Sequence, residues 1–117
     1  MRNTLRSAIS AIWLAGLAGC FSNYVDATKT AKGFTAPTDP NNIEVLRTKP
    51  ERHYLELGTL TTSDWALGDT AKMYNALRSR GAEMGADAVL IISSGQNVDP
   101  FWGTTFMWCS AVAIQYQ

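Results

Sequence analysis

The chain has 117 residues, ten basic and ten acidic side chains, one histidine and two cysteines. That length suits a single small domain. Balanced charge with no basic block excludes an electrostatic grip on nucleic acid or on an anionic surface, and so few histidines and cysteines fall short of a soft-metal ligand set.

The first predicted element is a targeting segment over residues 1–19. Met1 to Arg6 carries Arg2 and Arg6 and no acid, and Ser7 to Gly19 is a run of 13 uncharged residues. A bilayer span needs about 20 apolar residues, so a shorter run ending in small residues follows the signal-peptide pattern. Leu17-Ala18-Gly19-Cys20 resembles the lipobox of bacterial prolipoproteins. The resemblance implies that Cys20 becomes the first residue of the mature protein, as a thioether bearing diacylglycerol with acyl chains such as palmitate. Each buried CH₂ of such an anchor contributes about 0.8 kcal/mol, and two or three chains hold far better than one. Phe21 rather than Asp follows the cysteine, which by the same resemblance favours the periplasmic face of the outer membrane.

Cleavage before Cys20 would leave 98 residues with eight basic against ten acidic side chains. Cys109 would then be the one free thiol, either buried and inert or paired with another chain. Residues 20–42, rich in Ser, Asn, Thr, Lys, Ala and Gly and holding Pro37 and Pro40, read as the lipidated end and a flexible tether. A flexible chain of that length spans about 25 Å. The alternative is that Tyr24 and Phe34 dock on the domain as part of an edge strand.

The folded domain is expected over residues 43–117. Ile43 to Arg47 alternates and reads as a strand, and Pro50 turns the chain. Tyr54 to Thr61 reads as a second strand, antiparallel to the first because the connection is short. Gly58 inside it marks a bulge or the close approach of another backbone. Asp69 is the expected N-cap of a helix whose buried stripe is Met73, Leu77, Gly81 and Met84. Gly81 costs about 1 kcal/mol in a helix unless it lets the helix sit close to the sheet, and Gly85 ends the helix in a left-handed conformation. Ala86 to Ser93 is nearly all apolar, as in a central strand covered on both faces. Strand, helix and strand in succession imply a crossover between parallel strands. Residues 94–103 read as a loop and Thr104 to Tyr116 as the last strand, with the small residues Cys109, Ala111 and Ala113 on the face beneath the helix. The expected fold is α+β: one helix on a four-stranded mixed sheet in the order β-β-α-β-β.

The run from Ala76 to Leu90, ending Met84-Gly85-Ala86-Asp87-Ala88-Val89-Leu90, resembles the "LGADAV" turn of a class of small bacterial domains. These are the YbjQ-like domains and the sensor lipoproteins of the Rcs phosphorelay with their relatives. Tyr54-Leu55-Glu56-Leu57-Gly58-Thr59-Leu60 is similar to their "Y…LG.V" strand and Ser110-Ala111-Val112-Ala113-Ile114 to their closing strand. The resemblance implies a lipid-anchored envelope protein engaged in stress sensing or, on the YbjQ-like side, a module that binds a metal or small ligand.

No catalytic set is legible. His53 beside Arg52 reads as an exposed residue, Ser63, Ser93 and Ser94 have no histidine partner, and Asp64, Asp69 and Asp87 suit turn, cap and strand-start positions. Neither a metal nor a cofactor is expected. The aromatic pair Phe101-Trp102, between Pro100 and Gly103, is the candidate partner-binding feature, since loop aromatics anchor interfaces and membrane contacts. Trp108 is expected in the core. The chain therefore reads as a non-enzymatic, membrane-anchored envelope lipoprotein acting through another envelope protein; the alternative is the metal or small-ligand module, drawing on His53 or Cys109.

Overall fold

The structure is a computed structural model that describes residues 25–33 and 35–117. Residues 1–19, read from the sequence as a signal peptide, and Cys20, Tyr24 and Phe34 lie outside the described residues. Five strands form one mixed sheet: β1 (Asp26–Lys29), β2 (Glu44–Leu46), β3 (Tyr54–Ala66), β4 (Ala88–Val98) and β5 (Thr105–Tyr116). Among the described residues one α-helix, α1 (Thr70–Glu83), stands between β3 and β4. The spatial order is β1-β3-β5-β4-β2, with β2 parallel to β4 and every other pair antiparallel.

The expected four-stranded sheet is thus corrected to five strands. The extra one lies inside the segment read as a tether. Asp26–Lys29 pairs with Thr61–Gly58 of β3, and Val25 and Ala27 join the core. Beyond β1 the chain stays docked. The Thr38 amide donates to the Ala82 carbonyl at 2.9 Å, its hydroxyl donates to the Ala86 carbonyl at 2.5 Å, and Asp39 caps a short 3-10 turn over Pro40–Asn42. Polar composition obscured this docking because backbone groups, one threonine and a few small apolar side chains (Val25, Ala27 and Ala31) carry it, not a long hydrophobic stripe.

A second correction concerns β2. It does not pair with β3 but runs parallel to the start of β4, at the opposite edge of the sheet. The connection over residues 47–53 is longer than a tight hairpin loop, and it must pass β4 and β5 to reach β3. On arrival Arg52 lies over the Tyr116 ring, 4.0 Å from its centroid, and the His53 carbonyl accepts from the Gln117 amide. Leu46, Tyr54 and Tyr116 close over Ala88, Val112 and Ile114 on this second face. The strands flanking α1 are indeed parallel, but β5 is inserted between them.

The first face carries the main core. Leu57, Leu60, Val89, Ile91, Cys109, Ala111 and Ala113 meet Met73, Leu77 and Ala82 of α1. The small residues of β5 lie under the helix, as their alternation predicts. A Cβ on Gly81 would come within 2.9 Å of a Val89 methyl, so the helix rests on the sheet where only glycine fits. Asp69 holds the N-cap position without a side-chain cap bond and pairs instead with Lys72 at 3.9 Å on the surface, a contact worth at most about 1 kcal/mol. The helix ends in a Schellman motif. Gly85 has φ +86, its amide donates to the Ala82 carbonyl, and the Ala86 amide donates to the Gly81 carbonyl.

Two register shifts shape β3. One, between Glu56 and Gly58, sets Gly58 beneath β1, where an added Cβ would lie 2.4 Å from the Thr28 carbonyl oxygen. The other, between Thr62 and Trp65, places Asp64 at φ +65 and turns Trp65 inward to donate its indole N–H to Thr62 at 2.6 Å.

Gly85→Ala should cost about 2 kcal/mol or more in chemical unfolding, because a left-handed alanine is strained by roughly 1–2 kcal/mol and the new methyl would also meet Thr35 and Ala36. Gly58→Ala should instead loosen β1 selectively, seen as faster amide exchange at residues 26–29, while β4 and β5 keep their protection.

Candidate docking surface

The β4–β5 hairpin is longer than its sequence suggested. The expected loop over 94–103 is corrected: β4 continues through Val98, and only residues 99–104 turn the chain. Ladder pairs run unbroken from Ser93↔Ser110 to Val98↔Thr105. Gly95 disguises this continuation. A glycine in mid-strand reads as a break, yet here it lies beneath the Trp108 ring, whose atoms would be within 2.9 Å of a Cβ. Trp108 is therefore half-buried on the face away from α1, covering Gly95, and not part of the helix-side core.

The turn is stiffened by its own backbone. The Asp99 amide donates to the Thr104 carbonyl, the Gly103 amide donates to the Asp99 carbonyl, and the Phe101 amide donates to the Asp99 carboxylate, each at 2.8 Å. Gly103, at φ +66, makes the return. Phe101 and Trp102 are left 91% and 82% exposed at the tip. At that exposure neither ring is folded back over the sheet. Val98 and Leu67 are also exposed, and both stand at this end of the sheet, since Ala66 aligns with Phe106 and Val98 with Thr105.

The outer edge of β4 is a second exposed feature, one that sequence reading did not single out. β2 covers only Ala88 to Leu90. Among the described residues no strand pairs with the stretch Ile92-Ser93-Ser94-Gly95-Gln96-Asn97-Val98 on that side. Natural edges are normally blunted by charge or proline; this one has neither over seven residues. A shallow cleft of about 200 Å³ lies beside it, lined by Arg47, Tyr74, Ser94, Gln96 and Met107. Arg47 donates to the Tyr74 hydroxyl and lies over its ring.

The remaining candidates are kept apart. His53 is exposed at the far end of the sheet beside Gln117. Cys109 is 1% exposed under the helix, about 25 Å away along β5 at some 3.3 Å per residue. Among the described residues no three His, Cys, Asp or Glu side chains group as metal ligands. Asp87 is structural: its carboxylate accepts the Tyr116 amide at 2.9 Å. A groove of about 540 Å³ between β1 and α1 is rimmed by Asp26, Ala76, Arg80 and Glu83, and its charged pair, Arg80 with Glu83, is already satisfied.

Burial pushes the Cys109 thiol above its ordinary value near 9, and the positive charge of Arg47 offsets part of that rise. An acid that ionises less readily when folded holds its proton longer than the unfolded chain does, so stability falls as pH rises through the ordinary thiol range. The parent should therefore lose stability relative to Cys109→Ala between about pH 8 and pH 10, measured by chemical unfolding at each pH. Thiol reagents should label Cys109 no faster than the chain opens.

No family model matches the chain, and no curated protein matches it. Its structure is similar to the crystal structure of the Francisella virulence factor FvfA, with a TM-score of 0.58 and 16% sequence identity, over 79% of this chain and 97% of that one. At that identity the likeness is one of fold.

Proposed function

We propose that this protein is a lipid-anchored, non-enzymatic module of a bacterial cell envelope, held at the outer membrane through Cys20 and acting by contact with another envelope protein. The observation that supports this reading best is the uncharged open edge of β4 from Ile92 to Val98. An extended segment of a partner would add to that edge as a sixth strand, with main-chain hydrogen bonds giving affinity and alternate side chains giving selectivity. Such a mode needs no catalytic group. It is compatible with the stress-sensing role that the "LGADAV" resemblance implies. Among the described residues no three His, Cys, Asp or Glu side chains group to favour the metal-binding alternative.

The anchor itself rests on the lipobox and on the short apolar run before it. Labelled palmitate should enter the parent and not Cys20→Ser, and the membrane-extracted protein should begin at an acylated Cys20 by mass spectrometry. Recovery of the parent unlabelled and soluble would contradict the anchor.

The edge is tested separately. A photo-crosslinking residue at position 96 should capture a discrete envelope protein, and Ile92→Lys with Gln96→Lys should abolish that capture while changing stability by no more than about 0.5 kcal/mol. Unchanged capture in the double variant would remove the edge from the account.

A further inference from the structure

β1 begins on the half of the sheet nearer the Phe101–Trp102 tip. β1 runs antiparallel to β3, and Asp26 aligns with Thr61, which aligns with Ser110 and through it with Ser93. Val25 therefore stands level with Cys109, just before the end of β1 that is nearer the hairpin tip. From Cys109 back to Thr104 is five residues of strand, about 17 Å. From Val25 back to Cys20 is also five residues, which span at most about 17 Å. The anchor's reach thus ends at about the level where the tip begins. Laterally, β1 and the hairpin are two to three strand spacings apart, about 10–14 Å.

We propose that the hairpin tip is a second membrane contact, with Phe101 and Trp102 seated in the lipid headgroup region of the bilayer that holds the Cys20 acyl chains. The proposal rests on the lipidation reading above. A short link brings the domain down to the bilayer, and the first side chains to arrive are an exposed phenyl and an exposed indole on a stiffened turn. Tryptophan favours the membrane–water boundary because its ring is apolar and its N–H is polar. Leu67 and Val98, a few residues behind the tip, follow it toward the headgroups.

Charge does not drive this contact. The end of the molecule carries Asp64, Asp69 and Asp99 against Lys72 and Arg47, a balance that stays acidic, so anionic lipid should not strengthen it. A protein cleft that accepts two aromatic rings is the other class of occupant. The bilayer is favoured because the length of chain between anchor and domain delivers the tip to it without any further molecule.

The experiment uses the acylated full protein in zwitterionic phosphatidylcholine vesicles, with Cys20 acylation verified by mass on the same sample. The difference in emission between the parent and Trp102→Phe isolates Trp102 from the other tryptophans. That difference spectrum should be shifted to the blue, and roughly half or more of it should be lost to lipids brominated near the headgroup, with less loss to mid-chain bromine, consistent with a depth of about 5–10 Å. Aqueous iodide should quench it little. Phe101→Ser/Trp102→Ser should stay acylated and folded, and its Trp65 and Trp108 emission should be untouched by bromine. Acylated protein whose Trp102 is open to iodide and insensitive to bromolipid would overturn the proposal. Protection of Trp102 that appears only when a purified envelope protein is added would assign the tip to a protein cleft instead, and quenching that requires anionic lipid would overturn the stated driving force. Protein lacking the acyl mass would overturn the lipidation reading on its own.

Discussion

Strand β5 is the constraint on which the rest depends. It pairs with β3 along one side and β4 along the other, so it sets the register of the whole sheet. One of its faces is small, with Cys109, Ala111 and Ala113 buried beneath α1. Close helix–sheet packing needs such a floor, and Gly81 supplies the matching gap from above. A larger residue at either layer would raise the helix and open the seams with β1 and with residues 35–38. Its other face carries Val112 and Ile114, closed over by Leu46, Tyr54 and Tyr116. The same strand then runs on with β4 past the end of β2, which creates the open edge and lifts the aromatic tip clear of the core.

The sequence made much of this legible, for reasons that can be named. The helix stripe, its glycine terminus and the alternation of β5 are local patterns whose periods match the structure. Gly58 was legible in part: a glycine inside a strand implied a close backbone, and that backbone is β1, whose Thr28 carbonyl faces it. An edge strand in the segment of β1 was legible only as the alternative to a tether, because four residues with little apolar content join a sheet largely through main-chain bonds that leave no periodic trace. The partner of β2 was hidden. Pairing of sequence neighbours is a statistical rule, and here the all-apolar start of β4 needs a strand on its outer side, which β2 provides.

The candidate surfaces divide the same way. Phe101 and Trp102 were visible as aromatics among turn residues. The β4 edge was not, because Ser94-Gly95 looks like the start of a loop until Trp108 is seen to cover Gly95 from the neighbouring strand. An edge is a property of topology, and only the spatial order of strands reveals that β2 stops at Leu90. Together these features give the molecule two ends. One, with the tip, Leu67 and Val98, is the end proposed to meet the bilayer. The other holds His53, Gln117 and the helix C-terminus and would face away from it, with the free edge of β4 rising between them.

The most direct test of this account is a depth profile of the acylated protein on vesicles, read by a spin label placed in turn at Trp102 and at His53. The account predicts that the label at 102 collides more with oxygen than with a water-soluble nickel complex, and that the label at 53 does the reverse. Equal, fully aqueous accessibility at both positions in protein proven to carry its acyl chains would contradict it.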